Sequence, residues 1–579
     1  MNKNIILFIV TLIMFSACEG LLYCPPTGTL SDATLTTGEG VEYLISSAYA
    51  GLRGPTSKAE DCWIPNTNWS YGDVRSEIAY KGGSGISDGI AIHYLEISDG
   101  IFTTEGILDS KWFYTYCLIS RCHNAIRSLK QLSKDEYSSR DVRLGEIKVI
   151  RVHHYFDMMR IFNYVPYFDE TIEPDDHMKL NNREFSRDQL LEKLIKELQD
   201  AADLLPEKQT EVGRINRRIA KAYEAKLWLY RAYEQNPENN QLASINKEYL
   251  QNVLDITETL ISEGGYDLLK DFQHLDLVEY DNKSESVFEV QYSVSDGTQF
   301  GNVNWSFILN VPCSDPYNGC GFFLPSQNLV NSFRTDENGL PLHDTYNNKN
   351  LMTVADGKSM NVDPRLDFIV GRPGVRWKTY ADAPYSDTWS RDVPTYGNYS
   401  CKRHLVSPDS KDFLAGYPRG LSGLNWDIIR FADILLWHAE ALIEIGRHDE
   451  AVEYINRIRN RAKSSTYVTD WSDPTKPAAN YVINPYVPGE NCEWTQEYAR
   501  KALRFERKLE LAMDGERFFD LVRWGIAAQV LNEEYYPKEK TLRTYYKDAY
   551  FTAGQDEYLP IPENQIRASG GSLKQNLGY

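Results

Sequence analysis

The sequence predicts a mainly α fold, with helical hairpins stacked side by side, long irregular loops and minor β structure. Three observations predict it. Apolar residues recur at helical spacing through much of residues 38–263 and 426–532. Helical segments come in pairs separated by short turns such as Gly446-Arg447-His448-Asp449. Between 280 and 425 the periodicity gives way to Gly, Pro, Asn and aromatic residues, the composition of loops. A hairpin of helices buries its apolar face only against a neighbour, so recurring pairs imply a superhelical stack.

The chain opens with Lys3 and an eleven-residue apolar run, Ile5 to Phe15, followed by Ser16-Ala17-Cys18. That run is shorter than the ~18 residues a spanning helix needs and has the layout of a secretory signal over residues 1–17. Small residues directly before Cys18 give it the form of a lipobox, with Phe15 where leucine is usual, so Cys18 is expected to be acylated and to become the mature N-terminus. No later stretch is long and apolar enough to span a bilayer, which leaves the lipid as the expected membrane attachment.

Residues 18–279 form an N-terminal helical region. A first helix is expected over 38–54, with Val41, Leu44, Ile45, Ala48 and Leu52 on one face and Gly54-Pro55 as its stop. The segment 60–100 reads as an aromatic loop. In it Trp63, Trp69 and Tyr71 stand beside Asn66, Asn68, Asp73 and Arg75, and flat rings with planar amide or guanidinium groups are what a pyranose needs for its C–H face and adjacent hydroxyls. Packing of some of these rings onto the helices is the competing reading. Further helices are expected over 112–132, 144–162, 187–205 with Ser186 as N-cap, 214–233 and 247–263. His153 and His154 are adjacent on a helix and point to different faces, which argues against a shared metal.

Residues 280–579 divide into a loop-rich part (280–425), a helical part (426–532) and a tail (533–579). Val287 to Tyr292 alternates like a strand. The loops after it carry Trp305, Phe322, Phe323, Trp377, Tyr380, Tyr385, Trp389, Tyr396 and Tyr399, and long loops on a rigid frame are where binding groups usually sit. Trp305, after Gly301-Asn302-Val303-Asn304, and Trp377 are the candidates chosen there. Cys313 and Cys320 flank a turn-rich stretch, and both a local disulfide and free thiols are open. Residues 428–463 form helix, Gly446 stop, Asp449 cap and second helix, tetratricopeptide-like in size at about 34 residues per unit.

In Thr495 to Gly525, Tyr498, Ala502, Phe505, Leu509, Ala512 and Met513 fall in one helical stripe; Arg500, Arg504, Arg507 and Lys508 gather opposite, and Glu506 and Glu510 lie at its edge. Arg507 to Glu510 is the one good pair of opposite charge within the helix, so the two glutamates should find partners on other helices. Asp514-Gly515 is the expected stop, and Phe518, Leu521, Val522 and Trp524 turn inward in the next helix.

On these residues the chain resembles the SusD/RagB family of nutrient-binding lipoproteins, through Glu506, Arg507, Glu510, Leu511, Ala512, Gly515, Arg517, Asp520, Leu521, Arg523 and Trp524. The turn Arg160-Ile161-Phe162-Asn163-Tyr164-Val165-Pro166 is similar to another family motif, with Asn163 where glycine is usual, as are Asp363-Pro364-Arg365, Leu559-Pro560-Ile561-Pro562 and the ending Gln575-Asn576-Leu577-Gly578-Tyr579. The family likeness also reaches the segment holding Gly72, Asp73 and Arg75, for which it implies a structural role. It implies a SusD-like helical fold and a surface lipoprotein of the outer membrane. Such a protein captures an oligosaccharide or polysaccharide and passes it to a SusC-like TonB-dependent transporter.

Composition agrees with a large folded exported protein of 579 residues, 42% hydrophobic and 25% charged. Eighty-two acidic against 62 basic residues give a net charge of −20, which argues against nucleic acid as partner and mildly disfavours strongly acidic ligands. Gly420-Leu421-Ser422-Gly423 lacks nucleophile-elbow spacing, Gly82-Gly83-Ser84-Gly85 lacks a Rossmann context, and no Cys-x-x-Cys or His-Glu-x-x-His is present. No catalytic residue, metal ligand or cofactor is therefore assigned. The rivals to a binding lipoprotein are a lipid-anchored glycoside hydrolase and a helical-repeat assembly protein that binds no glycan.

Overall fold

The computed structural model describes residues 35–54, 62–65 and 67–579; the expected signal segment and Cys18 lie outside these residues. Ten helices make the frame: α1 (Gly38–Gly51), α2 (Gly106–Gln131), α3 (Arg140–Phe162), α4 (Arg187–Leu204), α5 (Arg217–Ala232), α6 (Lys247–Glu263), α7 (Phe431–Ile445), α8 (His448–Ser464), α9 (Gln496–Glu510) and α10 (Arg517–Arg523). Each packs on the next from α1 to α8, and α9 closes against α7 and α8. The loop-rich residues between α6 and α7 therefore interrupt the chain without interrupting the stack.

Local chemistry sets most helix boundaries. Ser186 caps α4 and Gln189 returns the bond, a reciprocal capping box. Asn216 Oδ1 accepts the Ile219 N–H at 3.1 Å to start α5, and Asn246 Oδ1 the Glu248 N–H at 3.0 Å to start α6. Gly446, at φ +97°, ends α7. Asp449, expected to cap α8, lies inside its first turn, because the Gly446 turn continues with Arg447 N–H donating to Leu442 O at 2.8 Å and the helix starts at His448. Asn163 closes α3 at φ +59°, the backbone its place in the turn predicts.

The β structure among the described residues is five two-stranded sheets. Two of them fasten the loops to the frame. β1 (Ala79–Gly82) runs antiparallel to β3 (Phe322–Pro325), with Tyr80 opposite Leu324; β2 (Ser286–Val290) runs antiparallel to β4 (Trp426–Arg430), with Glu289 opposite Asp427.

Helix α9 departs from its expected surface. Ala502 and Leu509 are buried as predicted, but so are Arg507 and Lys508, because loops from 328–346 and helix α10 cover the side that looked solvated. Arg507 Nε bonds Asp520 Oδ2 at 2.7 Å rather than Glu510. The helix ends at Glu510, before Asp514-Gly515, and Met513 and Gly515 take the positive φ angles of the turn that follows.

The glutamates of α9 do find distant partners. Glu506 meets Arg365 at 2.7 Å and Arg459 at 3.0 Å; Glu510 meets Arg430 at 2.6 Å and is also paired with Arg461. Arg430 and Arg461 share Glu285 at 3.0 Å each, so loop, β4, α8 and α9 meet in one buried lattice of charge. These groups have left water, and each faces opposite charge on other elements.

Trp69–Val74 makes a six-residue π-helical turn that fastens the N-terminal segment to the start of α10. Asp73 accepts the Gly515 N–H at 2.8 Å and the Arg517 N–H at 3.2 Å. Arg75 lies 4.0 Å over the Phe518 ring and donates to Asp556 O at 2.7 Å. The glycine at 72 is required by contact, since a Cβ there would sit 1.8 Å from the Gly515 carbonyl oxygen.

Candidate functional site

The expected ring residues separate sharply by burial. Trp69 is 1% exposed and lies against Phe322 and Phe323, with ring centroids 6.5 and 5.7 Å away. Tyr71, also 1% exposed, donates its hydroxyl to Ile107 O at 3.3 Å. Trp377 is closed in by Tyr317, Tyr385 and Trp389, and its Nε1 donates to Tyr317 OH at 2.8 Å. These three, chosen as ligand contacts, instead offer no open face: the Gly- and Pro-rich segments that carry them fold inward and join the core of the helical frame. Trp63 stays half-buried at the edge of the core.

Trp305 is buried too, but its setting differs. It forms the floor of a three-ring cluster with Phe300 at 6.2 Å and Tyr417 at 6.0 Å, and Phe300 and Tyr417 are themselves 6.0 Å apart. Phe300 is half-buried, whereas Tyr417 is 61% exposed. Beneath them the Trp305 indole Nε1 is buried without a hydrogen-bond partner among the described residues.

Two turns present this cluster. Residues 291–302 form a hairpin in which Ser293 and Asn302 exchange backbone bonds of 2.9 Å, with Gly301 at φ +71°. A second loop closes through Leu414 N–H to Leu421 O at 2.9 Å and holds Tyr417 at its tip. Tyr417 and Phe300 were not singled out in the sequence; the available signal was an aromatic residue between glycines, Gly416-Tyr417-Pro418-Arg419-Gly420, which reads as a loop tip.

The same hairpin forms one wall of a cleft of about 440 Å³. Tyr49 and Arg53 at the end of α1, Gly213 and Arg214, and Gln291 with Asn302 line it. Arg214 is already engaged, with Glu211 at 2.7 Å and Glu146 at 3.2 Å. Burial raises the carboxyl of Glu289, also on the wall, above its ordinary range even though it accepts the Asn425 Nδ2 at 2.8 Å and the Asn282 N–H at 3.0 Å. Amide, hydroxyl and guanidinium groups line the cleft, a surface suited to an uncharged, hydroxyl-rich ligand, and the hairpin that supplies two of them also carries Phe300.

The other expected chemistries resolve structurally. Cys313 and Cys320 are both free thiols. His153 Nδ1 lies 2.9 Å from Tyr223 OH, a core hydrogen bond. Among the described residues no group of three or more His, Cys, Asp or Glu is placed to hold a metal ion.

Comparison with known proteins supplies the kinship. A sequence profile of the SusD family matches residues 284–579. SusD-like protein P2 of Formosa agariphila is 23% identical over 590 aligned positions that cover all of both chains. A solved laminarin binding SusD-like protein superposes with a TM-score of 0.64 at 20% identity, covering 94% of this chain and 100% of its own. Surface glycan-binding protein A from Bacteroides thetaiotaomicron, solved in complex with laminarihexaose, gives 0.63 at 20% identity, covering 93% and 99%. With the profile match spanning half of the sequence and the helical frame shared along nearly its full length, the chain belongs to the SusD family.

Proposed function

We propose that this protein is a non-catalytic, surface-exposed lipoprotein of the outer membrane. In this reading Cys18 carries its lipid anchor, and the protein captures an oligosaccharide or polysaccharide and delivers it to a SusC-like TonB-dependent transporter. The observation that carries the reading is the Phe300, Trp305 and Tyr417 cluster, whose Phe300 belongs to the same hairpin that contributes Gln291 and Asn302 to the 440 Å³ cleft. A pyranose C–H face would lie on Tyr417, with Phe300 beside it and Trp305 fixing both from below. Trp63 is proposed as an additional contact, because it alone among the rings chosen in the N-terminal loop keeps part of its surface open. Gln291 and Asn302 would bond hydroxyls.

Family membership and the glycan-binding relatives support the assignment of ligand class. No helix among the described residues is long and apolar enough to cross a membrane, so membrane attachment in this reading falls to Cys18. Binding without cleavage is favoured by Glu289, the acidic group on the cleft wall, whose oxygens are taken up by Asn425 and Asn282 rather than held free toward the opening.

Affinity electrophoresis and calorimetry against a polysaccharide panel that includes laminarin test the proposal. At least one glycan should retard the wild type, and Tyr417→Ala should weaken that binding about tenfold, roughly 1.4 kcal/mol. Unretarded migration on every glycan would overturn the binding reading, and reducing sugar released by the wild type but not by Glu289→Gln would replace it with hydrolysis. Cys18→Ala should move the protein from the membrane pellet to the soluble fraction; an unchanged pellet would remove the anchor.

A further inference from the structure

A larger cavity, of about 720 Å³, shares no lining residue with the 440 Å³ cleft and opens between α9, residues 343–348 and residues 526–538. Its α9 wall is one helical stripe, Glu497, Arg500, Lys501, Arg504, Phe505 and Lys508, spaced three or four apart. In a protein of net charge −20 this wall is locally rich in cations, and three of the four on α9 are accounted for. Arg500 grips Glu444 through two bonds of 2.6 and 2.8 Å, Lys501 meets Asp344 at 2.5 Å, and Lys508 bonds Asn328 at 2.8 Å and stands 3.4 Å from Glu77.

Arg504 is different. Its guanidinium is half-buried on the cavity wall, 5.0 Å from the Trp524 ring centroid, and has no ion pair among the described residues. Burial lowers its pKa and outweighs the more distant charges of Glu440 and Glu444, neither of which forms an ion pair with it. Around it the cations outnumber their partners. Glu77 serves both Arg517, at 2.7 Å, and Lys508, and Lys538 on the opposite wall has no ion pair among the described residues. Of the remaining carboxylates of the wall, Glu497 is exposed to solvent, and Glu534 lies within reach of the Lys508 and Arg517 charges, its carboxyl raised by burial. A planar guanidinium 5.0 Å over an indole still carries N–H groups that suit two-point binding of an oxyanion.

We propose that this cavity is a second ligand site, separate from the Tyr417 cluster, that takes a sugar bearing an oxyanion, a uronate carboxylate or a sugar sulfate. Arg504 binds the oxyanion in two-point fashion and Lys538 approaches it from the facing wall. Asn347 and Gln529, on the same walls, meet the ring hydroxyls. The cavity is large enough for two or three sugar rings. The inference extends the glycan-binding reading to acidic sugars but does not use its aromatic platform, so the two can fail separately.

The test is calorimetry of the full soluble protein with oligogalacturonate, glucose 6-sulfate, glucose and inorganic sulfate. At least one acidic sugar should bind, its affinity should fall as salt rises, and glucose should bind at least tenfold more weakly. Arg504→Gln should weaken the acidic sugar at least tenfold and Arg504→Lys by less, whereas Tyr417→Ala should leave it unchanged; a melting curve checks that each variant is folded. The proposal is overturned if neither acidic sugar binds, if glucose or inorganic sulfate binds as tightly, or if folded Arg504→Gln binds like the wild type. A wild type that binds neutral polysaccharide but no acidic sugar would sink this site and leave the Tyr417 platform standing.

Discussion

Glu510→Ala lowers the stability of the protein by about 3–5 kcal/mol, because it takes from the buried guanidinium groups of Arg430, Arg461 and Arg365 the carboxylate they share. Arg430 bonds Glu510 at 2.6 Å and Arg461 is paired with it as well, and all three side chains are buried. Glu285 remains at 3.0 Å from each arginine and Asp514 at 3.1 Å from Arg430, but Arg461 is then left to share Glu285 as its one carboxylate partner among the described residues. Chemical denaturation followed by circular dichroism measures the loss. Glu497→Ala, on the same helix but exposed, should stay within about 0.5 kcal/mol of wild type. A Glu510→Ala protein as stable as that control would show that the buried charges are not what fixes α9 in place.

The same lattice sets a pH dependence. Burial alone would raise the Glu510 pKa, but Arg461, Arg430 and Arg365 outweigh it and bring the group from an ordinary 4.5 to about 2. Glu77, between Arg517 and Lys508, is brought to about 2 in the same way, and so is Asp520, between Arg507 and Arg523. A carboxylate with a depressed folded pKa contributes stability that is complete above its unfolded value. The contribution of these three carboxylates should therefore be constant near neutrality and fall as the pH drops from about 4.5 towards 2. For Glu510 alone the shift corresponds to about 3 kcal/mol. Glu510→Gln should remove part of the acid sensitivity as well as stability, and an unfolding midpoint independent of pH in this window would refute the ionised lattice.

Gly72→Ala is the second large effect, with an expected loss of about 3 kcal/mol or more through forced separation of two backbones. The added methyl would meet the Gly515 carbonyl oxygen at 1.8 Å, and backbone cannot swing aside as a long side chain can. Gly515 has no room to retreat: it sits at φ +79°, and a Cβ of its own would lie 2.0 Å from Thr67 O. Pushing the segments apart also breaks both Asp73 bonds to the start of α10. Asp73→Ala, which loses those bonds without inserting an atom, should cost less, about 1–2 kcal/mol. Thermal melting distinguishes the two, and a Gly72→Ala protein melting no lower than Asp73→Ala would mean that the contact relaxes freely.

The prediction that Tyr417 rather than Trp69, Tyr71 or Trp377 meets ligand follows from the same kind of contact. A ring becomes a binding surface only if nothing of the protein's own covers it, and coverage is a property of segments far apart in sequence. Phe322 and Phe323 cover Trp69 from more than 250 positions away, and Tyr317 reaches back to Trp377 across 60. Loop composition correctly marked 280–425 as irregular, yet an irregular backbone still folds onto itself and acquires a core.

What the sequence determined by itself was everything governed by interactions within a few residues. Helical periodicity placed the hairpins, Ser186 and Gly446 fixed helix ends, Asn163 announced a positive φ, and the motif around Glu506 to Trp524 identified the family resemblance. The tertiary structure alone decided which partners Glu510 would have, that Arg507 and Lys508 would be buried, and that of the many aromatic rings Tyr417 would stand open above Trp305. The physical reason is range: capping and periodicity act along the chain, whereas desolvation depends on what arrives from elsewhere to exclude water, and no local pattern of residues records that arrival.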